Sequence, residues 1–332
     1  MKRVILVLLA VLLLLCGCRA KPSVATRELF AMDTVMHLSV YGEEQDLLTQ
    51  AQDTIVRLEN LLSVTKETSD IARINQGEGE WVTVSEETAN LLVAAKEYAQ
   101  TTNGKFDPTV YPAVTAWGFT AEQTRVPATP QLQEFIPLID YQKIEIEGNR
   151  VRLPKGMGID LGGIAKGYAA DEVKKLYRSA GGSGVISLGG NVLTVGQKPD
   201  GKPFTVAIQD PFTGNGQLAV LSVSGGTAAV TSGSYQRYFT QDGVTYHHIV
   251  DPVTAAPAQS DLVSVTVVTT SAAKADAYAT ALFVMGQQEA LAQISSLGVE
   301  AVLVTADRQV YYTAGLTVTN QNNSYLFQRV GE

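Results

Sequence analysis

Both cysteines of this 332-residue chain, Cys16 and Cys18, lie at its N-terminal end, and its three histidines are His37, His247 and His248. Beyond Cys18 the chain cannot be stapled by a disulfide or organised around a zinc held by cysteines. A catalytic thiol in the folded body is excluded as well, once the leader described below is removed. The fold must therefore rest on apolar burial, and a 45% hydrophobic content supports one large or two intimate domains. Metal chemistry, if any, must use mostly oxygen ligands, which suits Mg²⁺ or Ca²⁺. The net charge is −8 with no long basic run. Clustered Lys and Arg that could neutralise phosphates are lacking, so no nucleic-acid partner is expected.

Lys2 and Arg3 precede an unbroken apolar run, Val4 to Leu15. As a helix this run would span about 18 Å, too little for a bilayer core of about 30 Å. It reads as the h-region of a secretory signal. Leu15-Cys16-Gly17-Cys18 resembles a bacterial lipobox, with cleavage before Cys18 and diacylation of its sulfur. The expected organisation is a signal peptide over 1–17, a lipidated tether over 18–27 and one domain over 28–332. That domain would sit on the extracytoplasmic face of the cell membrane; plain secretion and an uncleaved anchor are the alternatives.

Hydropathy patterning predicts a mixed α+β fold without regular βαβ alternation. Phe30–Tyr41 alternates like a strand, and Leu47, Leu48, Ala51, Ile55, Leu58 and Leu62 keep helical spacing. Ser85-Glu-Glu-Thr opens a second helix, which Asn103-Gly104 ends. Helices follow over Ala165–Ser179, Ala272–Met285 and Glu289–Leu297. Strands are expected over Lys143–Ile146, Val151–Leu153, Met157–Leu161, Gly184–Leu188, Phe204–Ile208, Leu218–Val223, Ala228–Thr231, Tyr246–Val250 and Val263–Thr269. A closing hairpin pairs Ala301–Thr305 with Gln309–Thr313.

Four segments could carry chemistry. In Asp160-Leu-Gly-Gly-Ile-Ala-Lys166, two glycines before a helix let backbone N–H groups approach a phosphate, with Lys166 adding charge. A plain strand–helix turn with a surface lysine is the other reading. Gly104-Lys-Phe-Asp-Pro108 with Trp117-Gly-Phe119 could stack on a planar ring, or pack a loop on the core; Asp107 could meet a ligand or close an Asx turn. In Tyr246-His-His-Ile-Val-Asp-Pro252, His247 and His248 point to opposite faces of a strand, so at most one faces a given pocket. Asp276 and Thr280 share one face of an Ala-rich helix, as partners for a hard cation or as a helix-start Asp favoured by the dipole.

Taken in order, these segments resemble the ApbE family, the bacterial FAD:protein FMN transferases. The blocks are GKFDPTVYP with WGF, DLGGIAKGYAAD, ISLGGN, TSGSYQRYF, YHHIVDPVTAAP and ADAYATALFVMG, and the similarity runs from about Phe30 to the end of the chain. The resemblance implies an ApbE-like fold of β-sheets with flanking helices and an FAD site between lobes. It implies Mg²⁺-dependent transfer of FMN from FAD to a Thr hydroxyl of a target flavoprotein, with release of AMP. The acceptor would be a subunit of an electron-transport complex or an extracellular reductase. Metal ligands carry over to the Gly163 carbonyl and the side chains of Asp276 and Thr280. FAD contacts carry over to Met32, Lys105, Phe106, Asp107, Asp160, Lys166 and Val250, and proton transfer to His248. Three positions depart from the family pattern: Asp33 for Gly, Thr65 for Tyr, and Ala255-Ala256 for Gly-Tyr. FAD hydrolysis to FMN and AMP, and FAD binding without turnover, are the competing functions.

Overall fold

The computed structural model describes residues 23–120 and 123–331. The signal peptide and the lipidated Cys18 lie outside the described residues. The first strand, β1 (Val24–Ala31), starts inside the stretch 18–27 that was expected as a tether.

Phe30–Tyr41 is two strands rather than one. A two-residue turn at Met32-Asp33 joins β1 to β2 (Thr34–Tyr41), with Ala31 opposite Thr34. Both turn residues have positive φ, 47° and 58°, the geometry of a type I′ hairpin turn that usually selects Asn-Gly. Alternation alone could not show this, since Asp33 is a turn residue but Met32 is not, and the apolar–polar rhythm runs through both.

β1 and β2 begin a nine-stranded sheet whose members lie side by side in chain order. The others are β3 (Gly184–Leu188), β4 (Asn191–Val195), β5 (Ala228–Gly233), β6 (Leu262–Thr269), β7 (Glu300–Thr305), β8 (Gln309–Thr313) and β9 (Leu326–Val330). Every pair is antiparallel except β8 with β9. Both faces are covered, which explains the near-continuous apolar runs of β6 and β7. Val265, Val267, Ala301 and Leu303 enter the core under the helices. Val268, Val302 and Val304 enter a second core, beneath a three-stranded sheet of Phe204–Gln209, Gln217–Val223 and Thr317–Asn320.

Four long helices supply the first core. In α1 (Gln45–Leu62) the buried residues are the six that periodicity marks, Leu47, Leu48, Ala51, Ile55, Leu58 and Leu62. Each Leu or Ile there contributes about 2 kcal/mol. α2 (Glu86–Thr101) starts at Ser85, whose hydroxyl accepts from Thr88 N–H at 3.1 Å. α3 (Ala165–Ser179) matches its expected range. α4 (Ala272–Leu297) is broken at Gly286, φ 75°, where the sequence pattern separates two helices. Asp261 fixes the break by accepting Gln287 N–H at 2.8 Å.

Two expected strands are corrected. Met157–Leu161 joins no sheet; its backbone is satisfied instead by Asn75 and by the Pro108 carbonyl. Tyr246–Val250 is interrupted: one strand ends at His247, where its hairpin ladder closes with the His248 N–H to Arg237 carbonyl bond, and another starts at Val250, which pairs with Pro257.

The exposed Asp33 holds a left-handed φ of 58°, and its ion-pair partner among the described residues is Arg237, at 3.9 Å. Asp33→Gly is expected to raise stability by about 0.5–1 kcal/mol in urea unfolding. Asp33→Ala should not, since a Cβ keeps the unfavourable conformation; equal gains from both would contradict the turn geometry.

Candidate active site

The glycines after Asp160 bring two helices into contact. Gly167, in the first turn of α3, lies against the first turn of α4, where an added Cβ would sit 2.2 Å from the Ala272 carbonyl oxygen. This close crossing lets Asp276 of α4 accept the Gly167 N–H at 2.9 Å. No side chain of its own segment caps α3, so Asp276 serves its N-terminus from the neighbouring helix. That contact engages one carboxylate oxygen. Asp276 is buried, and among the described residues it has no cationic partner.

Its neighbours are also oxygens. Thr280, one turn along α4, shares a 3.3 Å hydrogen bond with the Ser232 hydroxyl. A Cβ at Gly163 would lie 3.4 Å from Thr280 Oγ1 and 3.2 Å from the Phe106 ring. Gly163, Phe106, Thr280 and Asp276 thus meet at the α3–α4 crossing. No cluster of three or more His, Cys, Asp or Glu suited to a metal occurs among the described residues. A cation here would be held by one carboxylate, one hydroxyl and backbone carbonyl, an arrangement that suits Mg²⁺. The under-neutralised buried carboxylate is the observation that fits such an ion.

Asp160 is tied to the same turn. Its Oδ1 accepts Gly162 N–H at 2.7 Å, and its own N–H donates to Pro108 at 2.8 Å. Enclosure raises its pKa, against the lowering effects of the Gly162 hydrogen bond and of Arg237 and Lys166. Lys166 Nζ lies 3.3 Å from the Gly162 carbonyl oxygen. The residue before Asp160 is clamped by Asn75, which sequence reading missed as a site determinant. Asn75 accepts Ile159 N–H at 2.7 Å and donates to Ile159 O at 2.9 Å. A lone Asn at a helix end gives no local sign of a partner so far along the chain.

The two histidines differ, as strand alternation requires. His247 is structural: its Nε2 meets Ala258 O at 3.1 Å, its Nδ1 accepts Ile249 N–H at 3.3 Å, and its ring packs edge-on against Phe283. Burial lowers its pKa. His248 Nδ1 lies 3.1 Å from the Arg237 carbonyl, which can only accept. The proton therefore sits on Nδ1, and Nε2 keeps a lone pair. Burial pushes the His248 pKa down to about 3, with Lys166 and Arg237 lowering it further against the Arg237 hydrogen bond. A neutral ring with a bare Nε2 can accept a proton at neutral pH.

The remaining sequence-proposed residues take varied positions. Met32 N–H donates to Glu59 Oε1 at 3.1 Å, which ties the hairpin turn to α1. Lys105 Nζ lies 3.7 Å from Glu289, just beyond the Gly286 break. Asp107 closes an Asx turn, accepting Thr109 N–H at 2.8 Å and Tyr141 N–H at 3.0 Å, and burial raises its pKa against these bonds. Val250 is buried with Ala113, Val114 and Ala255. Trp117 and Phe119 pack on Phe239 and Tyr246 of a small hairpin, and Trp117 Nε1 donates to Ala255 O at 2.9 Å. Those aromatics hold the loop. A separate cleft of about 300 Å³, lined by Asn75, Tyr111, Arg125 and Phe135 among others, contains none of the proposed ligand-binding residues.

Known proteins show the same arrangement of chain. A model described as the ApbE family matches residues 32–303. The FAD:protein FMN transferase of Treponema pallidum is 32% identical over 91% of this chain and 90% of its own length. That of Vibrio cholerae is also 32% identical, over 91% of this chain and 94% of its own. The crystal structure of the ApbE protein of Thermotoga maritima superposes with a TM-score of 0.82 at 32% identity, covering 90% of this chain and 97% of that one. The apo flavinyl transferase ApbE of Pseudomonas stutzeri gives a TM-score of 0.79 at 26% identity, covering 92% and 97%.

Asn75→Ala should cost about 2–4 kcal/mol in denaturant unfolding, because it leaves both buried Ile159 backbone groups unpaired. A loss below about 0.5 kcal/mol would show that the clamp is replaceable. For His248, ¹⁵N chemical shifts should report the Nδ1–H tautomer and no titration between pH 8 and 5. A midpoint near 6.5 would contradict the enclosed, neutral ring.

Proposed function

The chain belongs to the ApbE family, and we propose that it moves the FMN part of FAD onto a protein acceptor, using Mg²⁺ at the α3–α4 crossing. The supporting observation is the buried Asp276, without a Lys, Arg or His partner among the described residues, beside Thr280 and Gly163, with neutral His248 and Lys166 nearby. In this reading the Gly163 carbonyl, Asp276 and Thr280 hold the ion. When bound, it neutralises charge on the pyrophosphate and favours the leaving group. Lys166 binds phosphate oxygens beside the start of α3, where the Gly167 N–H is already taken by Asp276. The Asp160–Gly162 bond keeps the glycine turn open to them.

The acceptor is a Thr hydroxyl. Its oxygen forms a bond to the FMN-side phosphorus while the bond from that phosphorus to the bridging oxygen breaks. The bridging oxygen keeps the electron pair and leaves as part of AMP. His248 Nε2 takes the hydroxyl proton, and the Arg237 carbonyl supports the resulting imidazolium through Nδ1–H. Met32, Lys105, Phe106, Asp107 and Val250 shape the remainder of the FAD site. Water in place of Thr would give FMN and AMP instead.

The leader supports a reaction at a membrane. Cleavage before Cys18 and acylation of its sulfur would tether the enzyme on the extracytoplasmic face. The short distance from Cys18 to β1 would keep the site near that surface, within reach of FMN-carrying subunits of electron-transport complexes or of extracellular reductases. Among the described residues no helix is long and apolar enough to cross a membrane.

Incubation of the mature protein with FAD, Mg²⁺ and an acceptor domain bearing a Thr should give flavin fluorescence on the acceptor in a denaturing gel. AMP and free FMN without labelling would replace transfer by hydrolysis, and unchanged FAD would leave binding alone. Asp276→Ala should abolish the reaction and weaken Mg²⁺ binding by calorimetry; retention of both would remove the metal assignment. His248→Ala should lower kcat by about 10²–10⁴ while FAD still binds, and an unaltered kcat would remove its role as base.

A further inference from the structure

Arg237 lies near the end of the sequence block Thr231 to Phe239. We propose that its guanidinium is a second cationic clamp on the FAD diphosphate, working with Lys166 to take up charge as AMP leaves. This rests on the reaction proposed above and adds a substrate-binding residue to it.

Three observations carry the assignment. The backbone of Arg237 is fixed beside the base, since its carbonyl oxygen receives both His248 N–H and His248 Nδ1–H at 3.1 Å. Its side chain reaches from there to the Met32-Asp33 turn. The guanidinium charge is also largely uncommitted. Its one carboxylate within ion-pair range among the described residues is Asp33, at 3.9 Å, and the two side chains are 56% and 77% exposed. Its contact with the Phe119 carbonyl is long, at 3.4 Å. Pairs of this length at such exposure contribute little to stability. Finally, Arg237 and Lys166 bear on the same two groups, Asp160 and His248. Both cations therefore act electrostatically where the glycine turn and the base meet.

The chemistry asks for this charge. The diphosphate of FAD carries two negative charges, and breaking the bond to the bridging oxygen gathers further charge on the AMP phosphate. A planar guanidinium can donate two parallel hydrogen bonds to phosphate oxygens, which a lysine cannot reproduce. Asp33, at the tip of the β1–β2 hairpin, serves as a weak parking partner for the arginine. Met32 beside it is a proposed FAD contact, so ligand entry and release of Arg237 from Asp33 would occur at one spot.

The test compares Arg237→Ala, Arg237→Lys and Asp33→Ala in the mature enzyme, each checked by thermal melting. Transfer kinetics give kcat and KM for FAD, and quenching of flavin fluorescence gives the Kd for FAD. Arg237→Ala is expected to lower kcat by about 100-fold or more, as for loss of one transition-state donor. Its Kd for FAD should rise about tenfold. Arg237→Lys should recover part of kcat, and Asp33→Ala should leave kcat within about twofold of wild type. Arg237→Ala with kcat and Kd both within twofold would overturn the proposal. So would Ala and Lys variants that lose activity equally and only in step with melting temperature. If wild type hydrolyses FAD without labelling an acceptor, the transferase reading fails and Arg237 is judged on hydrolysis. If wild type turns over no FAD, the Kd comparison alone decides: a tenfold rise supports the clamp and an unchanged Kd overturns it.

Discussion

The hydrogen bond from Gly167 N–H to Asp276 is the contact on which the site depends. It requires Gly167, because a Cβ would collide with the Ala272 carbonyl, and it requires α3 and α4 to cross at backbone distance. A second set of bonds fixes the crossing. Asp171 of α3 accepts Ser271 Oγ at 2.9 Å and Ala273 N–H at 3.0 Å, while Lys174 bridges Asp171 and the Thr270 carbonyl, both at 2.6 Å. These groups sit one turn from Asp276 and almost out of solvent, so their hydrogen bonds are not weakened by water. Asp276 is thereby positioned by helix packing, the more exact way to place groups for phosphate chemistry, and Gly163 sits in the turn that leads into α3.

Local patterning carried much of the fold. The apolar stripe of α1, the Ser85 cap, the limits of α3 and the break at Gly286 all follow from residues within a few positions of each other. Failures occurred where the deciding partner is distant in sequence. Met157–Leu161 has the apolar content of a strand, yet Asn75 and Pro108 supply its hydrogen bonds. The Met32-Asp33 turn is held by Glu59, and nothing near it announces a type I′ geometry. Small additional strands such as Asn191–Val195 went unread because their pairing is visible only once the sheet is assembled. The same division holds in the site. Gly163, Lys166, Asp276 and His248 belong to compact motifs, whereas Asn75, Asp171 and Arg237 matter through contacts about 80 to 100 residues away or through a carbonyl that has no sequence signature.

The paired histidines show how one backbone carbonyl divides two chemically identical side chains. Strand alternation sends them to opposite faces. His247 then has both ring nitrogens engaged, leaving no lone pair for chemistry. His248 has one nitrogen engaged, by a group that can only accept, and this fixes the tautomer that leaves the other nitrogen free. A carboxylate in place of the Arg237 carbonyl would have favoured the imidazolium and raised the pKa. Burial and the nearby cations outweigh the bond to the neutral carbonyl and lower it, so the ring is a base that does not hold its proton beforehand.

Two positions that depart from the family pattern share a conformation but not an energy balance. Asp33 and Ala255 both have left-handed φ, 58° and 56°. At Asp33 the side chain is exposed, so nothing obvious offsets the conformational cost except the long contact with Arg237. At Ala255 the methyl is fully buried against Val114 and Val250, and its carbonyl accepts the Trp117 indole N–H. Burying that methyl contributes about 0.8 kcal/mol, close to the roughly 1 kcal/mol that a non-glycine residue loses in the left-handed region. Packing can therefore carry Ala255 unaided. Asp33 has no such packing, and of the two it is the position where strain coincides with a charge placed beside the proposed substrate site.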